Sequence, residues 1–361
     1  MATGGKLSSA GRKRSADLAE SYPLSAIVPV RNAEATLLAC LQALEANRTQ
    51  HVEVIAVDDG STDGTAGILH AWAAHSTLPI QRIRNDRPTG PAAARNLGLE
   101  RASHRWLLFL DSDVVLPSNA IESIRESLRL YSHRPEVAGV LGTYHPKIPH
   151  TDFLSNYKNL LTCLLYERTE TLSPFLHTPI FCVQREILIA AGRFDSSLSR
   201  GEDFQLGVRL GSRGFRFVID RRVRGVHLKK YDLKTLLRED WQTVQALQSV
   251  PLDPAERRFA FRAHRWSRIA SLLLPGACLM TAAAALRFPG ALNLLPLLAT
   301  LFAALNARLF LYLRRRRGLG FAAAGLAFLF IQMLWAEAAL VAGFLRRLAG
   351  SAAPSETGRQ A

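Results

Sequence analysis

Four short apolar runs, at residues 24–30, 52–57, 79–84 and 106–110, alternate with stretches that repeat apolar residues at helical spacing. Each run has the length of a strand, and each intervening stretch leaves room for a crossover helix. Strand and helix alternating in this order predict a parallel sheet covered on both faces. The fourth run, WLLFL, is apolar at every position, as a central strand buried on both sides requires. Such a sheet collects ligands beyond the carboxyl ends of its strands. Carboxylates stand at those ends: Asp58-Asp59 after the second run, Asp111 and Asp113 after the fourth.

The same patterning predicts helices over 33–46 and 92–102, and one carrying Ile68, Leu69 and Trp72 that is capped by Thr62 or Asp63. Further strands are expected at 137–144 and 215–219, and a helix at 204–210 opened by Glu202-Asp203. Between 146 and 178 the period is lost, and helices and loops around an acceptor cleft are expected there.

The last third of the chain has a different character. Three uncharged runs, 269–286, 288–307 and 318–336, are each near the roughly 20 residues that span a bilayer. Upstream, Leu233, Leu236, Leu237, Trp241, Val244 and Leu247 recur at spacings of three and four, the pattern of a helix lying in a membrane interface; packing of that face onto the preceding domain is the alternative. The excess of 45 Lys+Arg over 30 Asp+Glu gathers around these segments. Arg314–Arg317 sits between apolar runs, and Arg221, Arg222, Arg224, Lys229, Lys230, Lys234 and Arg238 precede them. Anionic lipid headgroups, not nucleic acid, are therefore the expected partner of this charge. No secretory signal is expected in the polar, basic N-terminus. The 4 cysteines show no metal-ligand spacing, which suits free thiols in a reducing cytoplasm. The organisation expected is a disordered basic tail (1–22), an α/β domain (23–230), interfacial helices (231–267), about three transmembrane helices (268–347) and a polar tail (348–361).

The acidic residues suggest chemistry on a nucleotide-linked sugar. Breaking an anomeric C–O bond with a diphosphate leaving group needs that group's charge neutralised, and a cation on carboxylates does so. Mg²⁺ or Mn²⁺ takes oxygen ligands and leaves positions for phosphate. In Asp111-Ser112-Asp113 alternate residues of an extended segment share a face, so both carboxylates could meet one cleft; a solvated turn is the bland alternative. Asp58 and Asp59 could accept from a nucleobase N–H or ribose hydroxyls, with Gly60 permitting the turn. Arg95 and Asn96, after the Gly90-Pro91 turn, could reach a diphosphate at a helix start, although Arg95 would serve equally as a structural ion-pair partner. Asp203 is the candidate general base, against a helix-terminal charge pair. His227 is a candidate metal ligand or phosphate donor.

The order VPVRN, VDDGSTDGT, GPAAARNLG, FLDSD and GED resembles the inverting glycosyltransferases of family 2, over about residues 25–230. The resemblance implies a GT-A fold, a Rossmann-like mixed sheet with helices on both faces, here followed by an α-helical transmembrane region. It also implies roles: Pro29 and Asn32 bordering the nucleotide pocket, Asp59 on the base, Asp111 and Asp113 as the DxD element with Asp113 the firmer metal ligand. Asp203 would be the base and His227 would complete metal coordination. No QxxRW follows the GED step, since Trp241 in EDWQ does not fit it; single-sugar transfer is thus expected over processive polymerisation. The expected enzyme is a multi-pass protein of the inner (plasma) membrane with its catalytic domain in the cytoplasm, acting on a lipid or lipid-linked glycan in cell-envelope biosynthesis. The competing readings are a catalytically degenerate membrane scaffold or transport-associated protein with a nucleotide-binding domain, and a nucleotidyltransferase. Retention of all the acids disfavours the first, and the missing Gly-rich nucleotidyl loop the second.

Overall fold

A computed structural model describes residues 17–351 apart from 19, 48, 168, 264 and 265. Most of the expected tail at 1–22, and the end of the one at 348–361, lie outside the described residues. Within the former, Leu18 is buried and the Tyr22 carbonyl accepts from Arg125 Nε at 3.0 Å, so order begins before residue 23.

In chain order the elements are β1 (Leu24–Val30), α1 (Leu37–Ala46), β2 (Val52–Asp59), α2 (Thr65–His75), β3 (Ile80–Asn85), α3 (Pro91–Arg101) and β4 (Trp106–Leu110). Next come β5 (Val114–Val115), α4 (Ala120–Leu130), β6 (Val137–Tyr144), α5 (Phe153–Glu167), β7 (Leu172–Ser173), β8 (Ile180–Gln184), α6 (Arg185–Ala190), α7 (Glu202–Ser212) and β9 (Arg216–His227). After them follow α8 (Leu233–Ser249), α9 (Pro254–Ala263), α10 (Trp266–Ala285), a 3-10 segment (Pro289–Leu294), α11 (Leu295–Leu305), α12 (Ala307–Arg317) and α13 (Leu319–Ser351).

The strands join one sheet in the order β3-β2-β1-β4-β8-β6-β9-β5, with β7 on β9. The first four are parallel, as the alternation predicts. Beyond β4 the sheet turns mixed, because β8 runs antiparallel to both β4 and β6. Chain order reverses between β1 and β4, which creates a crevice at their carboxyl ends. Phe109 of β4 anchors the core beneath it, packed on Phe181 and Phe194 at 5.9 and 5.2 Å. Burying each such ring contributes roughly 1.5–3 kcal/mol. Helix α3 lies close on β1 because Gly98 has no side chain; a Cβ there would stand 2.3 Å from Ile27 Cγ2.

Strand β9 continues well past the expected 215–219, to His227. Its arginines alternate with buried Val223 and Gly225 and are occupied locally. Arg222 pairs with Asp220 and Glu126, Arg221 donates to the carbonyls of Tyr166 and Thr169, and Arg224 donates to that of Arg221.

The chain divides into two compact units, 1–230 with 252–259, and 231–251 with 260–361. In the second unit, α8 lies along α13 through a polar seam. Gln332 Nε2 donates to Asp240 Oδ2 at 2.6 Å, and Trp335 Nε1 to the Leu237 carbonyl at 2.8 Å. Gln245 reaches the Ala339 carbonyl, and Trp241 and Trp335 pack with centroids 4.9 Å apart. Among the described residues, one helix is long and apolar enough to cross a membrane, Leu319–Leu348. The expected middle span is broken, with its helix bent by 64° where α11 meets α12. Asn306 sits at that break and donates to the Phe302 carbonyl and to Ser271 Oγ. The bent pair, Pro289–Leu305 with Ala307–Arg317, would make a second crossing if it counts as one span. Among the described residues three continuous spans are not found.

Candidate active site

The crevice at the β1/β4 reversal is a cavity of about 250 Å³ lined by Pro29, Val30, Arg31, Asp59, Gly90, Pro91, Ala94, Arg95 and the whole Asp111-Ser112-Asp113 step. Residues far apart in sequence meet there because α3 descends onto the strand ends, bringing Arg95 beside Asp111. A larger groove at the opposite strand ends offers less chemistry. Its carboxylate, Glu53, is taken up by the hydroxyls of Ser25 and Ser103 at 2.6 and 2.7 Å.

Asp59 ends β2 opposite Asn85 of β3. Its oxygens accept from Asn85 Nδ2 at 2.9 Å, Thr89 N at 2.9 Å, Thr89 Oγ1 at 2.7 Å and Gly90 N at 2.8 Å. Burial alone would raise its pKa, but these donors outweigh it and hold the carboxyl below its ordinary value. Asp59 thus fixes the floor of the crevice by tying down the loop that leads into α3. The loop packs tightly on Gly60, whose φ of 69° and Cβ position 2.9 Å from Pro88 N admit no other residue without strain.

Asp58 faces inward: Oδ1 accepts from Ser61 N at 2.9 Å and Oδ2 lies 3.4 Å from Arg84. Asn32 (φ 48°) joins the first two loops, accepting from Thr62 N at 2.9 Å while its own N–H donates to Ser61 Oγ. Neither lines the crevice.

Arg95 is buried at 5% exposure. Its Nη1 lies 2.7 Å from Glu202 and its Nη2 3.1 Å from Asp111 Oδ1, and its guanidinium sits 5.5 Å over the Phe194 ring. Removing such a cation strands the buried Glu202 carboxylate, at a cost of about 3–5 kcal/mol. Asn96 is engaged at both ends of its amide by the Phe194 backbone, at 2.8 and 3.2 Å.

Asp113 meets His227, Oδ2 to Nε2 at 3.4 Å. Burial pushes the Asp113 carboxyl up, but His227 and Lys229 bring its pKa below the ordinary value. Among the described residues no three His, Cys, Asp or Glu side chains cluster as a metal cage. The Asp113–His227 pair is one hard oxygen and one imidazole, a donor set that suits a cation sharing its sphere with phosphate and water. Asp203 opens α7 after Gly201 in the left-handed region (φ 83°), and its Oδ1 accepts from Phe204 N at 2.7 Å. Burial raises its pKa, with Arg95 pulling the other way.

An aromatic layer that no sequence pattern marks lies beside this centre. The Tyr144 ring stacks on His227 with centroids 4.6 Å apart and meets His177 edge-on at 5.8 Å. His177 Nδ1 contacts the Tyr166 hydroxyl, and burial drives the His177 pKa down to about 4. His177 falls in the stretch without period, where no pattern marks it. Glu202 is a further functional partner, bonded to Arg95, and its adjacency to Asp203 is its signal in the sequence.

Residues 25–186 match the family described as glycosyl transferase family 2. The chain carries a glycosyl transferase family 2 domain. It is similar to the uncharacterized glycosyltransferase YfnE of Bacillus subtilis (strain 168), 27% identical over 252 residues, 56% of this chain and 64% of that protein. It is also similar to the poly-beta-1,6-N-acetyl-D-glucosamine synthase of Staphylococcus aureus (strain COL), 23% identical over 217 residues, 58% of this chain and 50% of the relative. The chain therefore matches less than two thirds of the length of either. Among solved structures, the mannosyltransferase PcManGT of Pyrobaculum calidifontis, in complex with GDP-Man and Mn²⁺, aligns with a TM-score of 0.57 over 89% of this chain and 87% of that one, at 22% identity. That likeness shows the fold, which is GT-A-like.

Proposed function

We propose that this glycosyltransferase moves a single sugar, with inversion, from a nucleotide-sugar donor to a membrane lipid or lipid-linked glycan in cell-envelope synthesis. The observation that carries the reading is the crevice itself: Pro29, Asp59, Arg95, Asp111 and Asp113 line one cavity at the reversal of the sheet. In this reading the donor's base and ribose lie over the β1 and β2 ends, and its diphosphate lies toward Asp113. Asp113 and His227 would hold Mg²⁺ or Mn²⁺, which when bound supplies charge neutralisation for the leaving diphosphate. Asp203 accepts the proton from the acceptor hydroxyl as that oxygen bonds to the anomeric carbon and the C–O bond to the diphosphate breaks. The raised pKa of Asp203 suits a base, because proton affinity is what the step needs. The domain at 23–230 would do this chemistry, while the segments from 231 onward hold it to the cytoplasmic face of the membrane.

The test is a panel of UDP- and GDP-linked sugars offered to detergent-solubilised full-length protein, with lipid phosphate acceptors, with and without Mn²⁺. Release of nucleoside diphosphate coupled to sugar-lipid formation is the expected result. Absence of binding and turnover across the panel would overturn the reading in favour of a degenerate domain.

A further inference from the structure

Arg95 and Asn96 look from sequence like donor ligands, yet the geometry gives their side chains to the protein. Arg95 bonds two motifs at once, Nη2 to Asp111 Oδ1 at 3.1 Å and Nη1 to Glu202 Oε1 at 2.7 Å, while its Nε is buried without a hydrogen-bond partner. The side chain is buried, as is that of Glu202. Phe194 supports the face of the guanidinium, and Asn96 clamps the Phe194 backbone in both directions. Adjacent residues of α3 therefore grip the start of α7 and the segment leading into it, while one of them also grips the strand end that carries Asp111. A planar fork can make both charged bonds at once; a lysine ammonium offers a point charge on a flexible stem.

We propose that Arg95 and Asn96 are positioning residues: together they set the distance between the DSD step and Asp203, and neither binds the donor diphosphate. This rests on the reading of Asp203 as the base and of the crevice as the donor site. Asp203 follows Glu202 directly, so the Arg95–Glu202 bond fixes the first turn of α7 from which Asp203 projects. Turnover depends on that spacing, whereas nucleotide binding at the strand ends does not.

The experiment compares wild type, Arg95→Lys, Glu202→Gln, Asn96→Ala and the double variant Arg95→Met/Glu202→Gln as full-length protein in detergent. It reads kcat, donor KM, nucleoside-diphosphate affinity by calorimetry, the ratio of donor hydrolysis to transfer, and the melting temperature. A misplacement near 1 Å costs on the order of 100-fold in rate, so Arg95→Lys should lose about that in kcat. Its nucleoside-diphosphate Kd should stay within about threefold of wild type, less than one good hydrogen bond is worth. Glu202→Gln, which keeps the Asp111 bond and leaves no stranded carboxylate, should fold and lose less. Asn96→Ala should raise the share of hydrolysis over transfer. If Arg95→Lys does not fold, Glu202→Gln and Asn96→Ala carry the same readouts. The proposal is overturned if nucleoside-diphosphate affinity falls tenfold or more while kcat holds, making Arg95 a diphosphate ligand. Wild-type turnover in every folded variant would overturn it as well. Failure of the donor-site reading is a separate outcome: wild type itself would then neither bind nor turn over a nucleotide sugar.

Discussion

His227 Nε2 lies 3.4 Å from Asp113 Oδ2 because β5 and β9 pair antiparallel with Val114 opposite His227. The Leu228 N–H closes the same corner on the Asp113 carbonyl at 2.8 Å. The ladder therefore delivers an imidazole to the DSD step from the far end of the domain, with the Tyr144 ring stacked on its face.

Removing the carboxylate from that pair tests the cation site. Asp113→Ala should cost on the order of 100-fold or more in transfer rate, the scale of losing one charge-stabilising element. Donor binding should lose its Mn²⁺ dependence, since His227 alone is a weak ligand set. The fold should survive, because Asp113 is partly exposed at a strand end. Turnover and calorimetry with and without EDTA decide it; near wild-type rates in EDTA would remove the metal from the reading.

Asp203→Asn should separate binding from chemistry. The amide fills the same space but takes no proton, so donor affinity should persist while turnover is lost. Stability should move the other way. The carboxyl's folded pKa is raised above its unfolded value, chiefly by burial. Near neutral pH wild type thus carries the penalty of a buried charge that asparagine does not. The variant should melt higher at pH 7, with the gain shrinking as pH falls through the folded pKa and vanishing below the unfolded one. A lower melting temperature at pH 7 would mean that the Arg95 charge outweighs burial.

Asp59→Asn addresses the floor of the crevice. The amide nitrogen, in place of Oδ2, would face the Gly90 N–H and leave that donor without an acceptor, while Thr89 N keeps Oδ1. Losing such charge-assisted bonds costs about 1.5–3 kcal/mol. Because the folded pKa of Asp59 is lowered, its stabilisation is present above the unfolded carboxyl pKa and fades as pH falls. The variant should melt lower than wild type at pH 7, converge with it in acid, and show a raised donor KM. An unchanged KM would place the nucleotide away from this loop.

How much of this the sequence reveals follows from the range of the forces involved. Strands β1 and β4 are legible to the residue because a fully buried strand needs an unbroken apolar run. The carboxylates at their ends are legible because the sheet's order puts ligands there. Strand β9 is truncated in the sequence reading because Arg221, Arg222 and Arg224 look like solvated charge, and only the fold reveals Asp220, Glu126 and the Tyr166 carbonyl as their partners. Tyr144 and His177 lie in segments far apart in the chain, and no local period encodes their meeting. The ambiguity of Arg95 has the same origin: a cation near a helix start suits a diphosphate or two carboxylates equally until α7 is placed.

The last prediction concerns the C-terminal tail. A crossing by three runs would leave it across the membrane from the glycosyltransferase domain, yet α8 argues otherwise. Asp240, Gln245 and Gln248 of α8 bond to α13 around Gln332 and Ala339, and Arg347 donates to Gln248 Oε1 at 2.5 Å. A helix carrying Lys234, Arg238, Glu239 and Asp240 does not enter hydrocarbon, where each such charge costs about 2.5–3.5 kcal/mol or more. The chain enters α8 from residue 230 and leaves it for 252–259, both within the glycosyltransferase unit. With α8 held in the interface, the stretch of α13 from Gln332 to Arg347 is held there with it, the Trp241–Trp335 pair included, which leaves 319–331 too short for a crossing of its own. Arg346 and Arg347 then obey the rule that basic residues stay in the cytoplasm. A fluorescent protein fused after Ala361 should fold and fluoresce, and alkaline phosphatase at the same position should be silent. Active phosphatase with a dark fluorescent fusion would restore the odd number of crossings and require the α8–α13 seam to open in the bilayer.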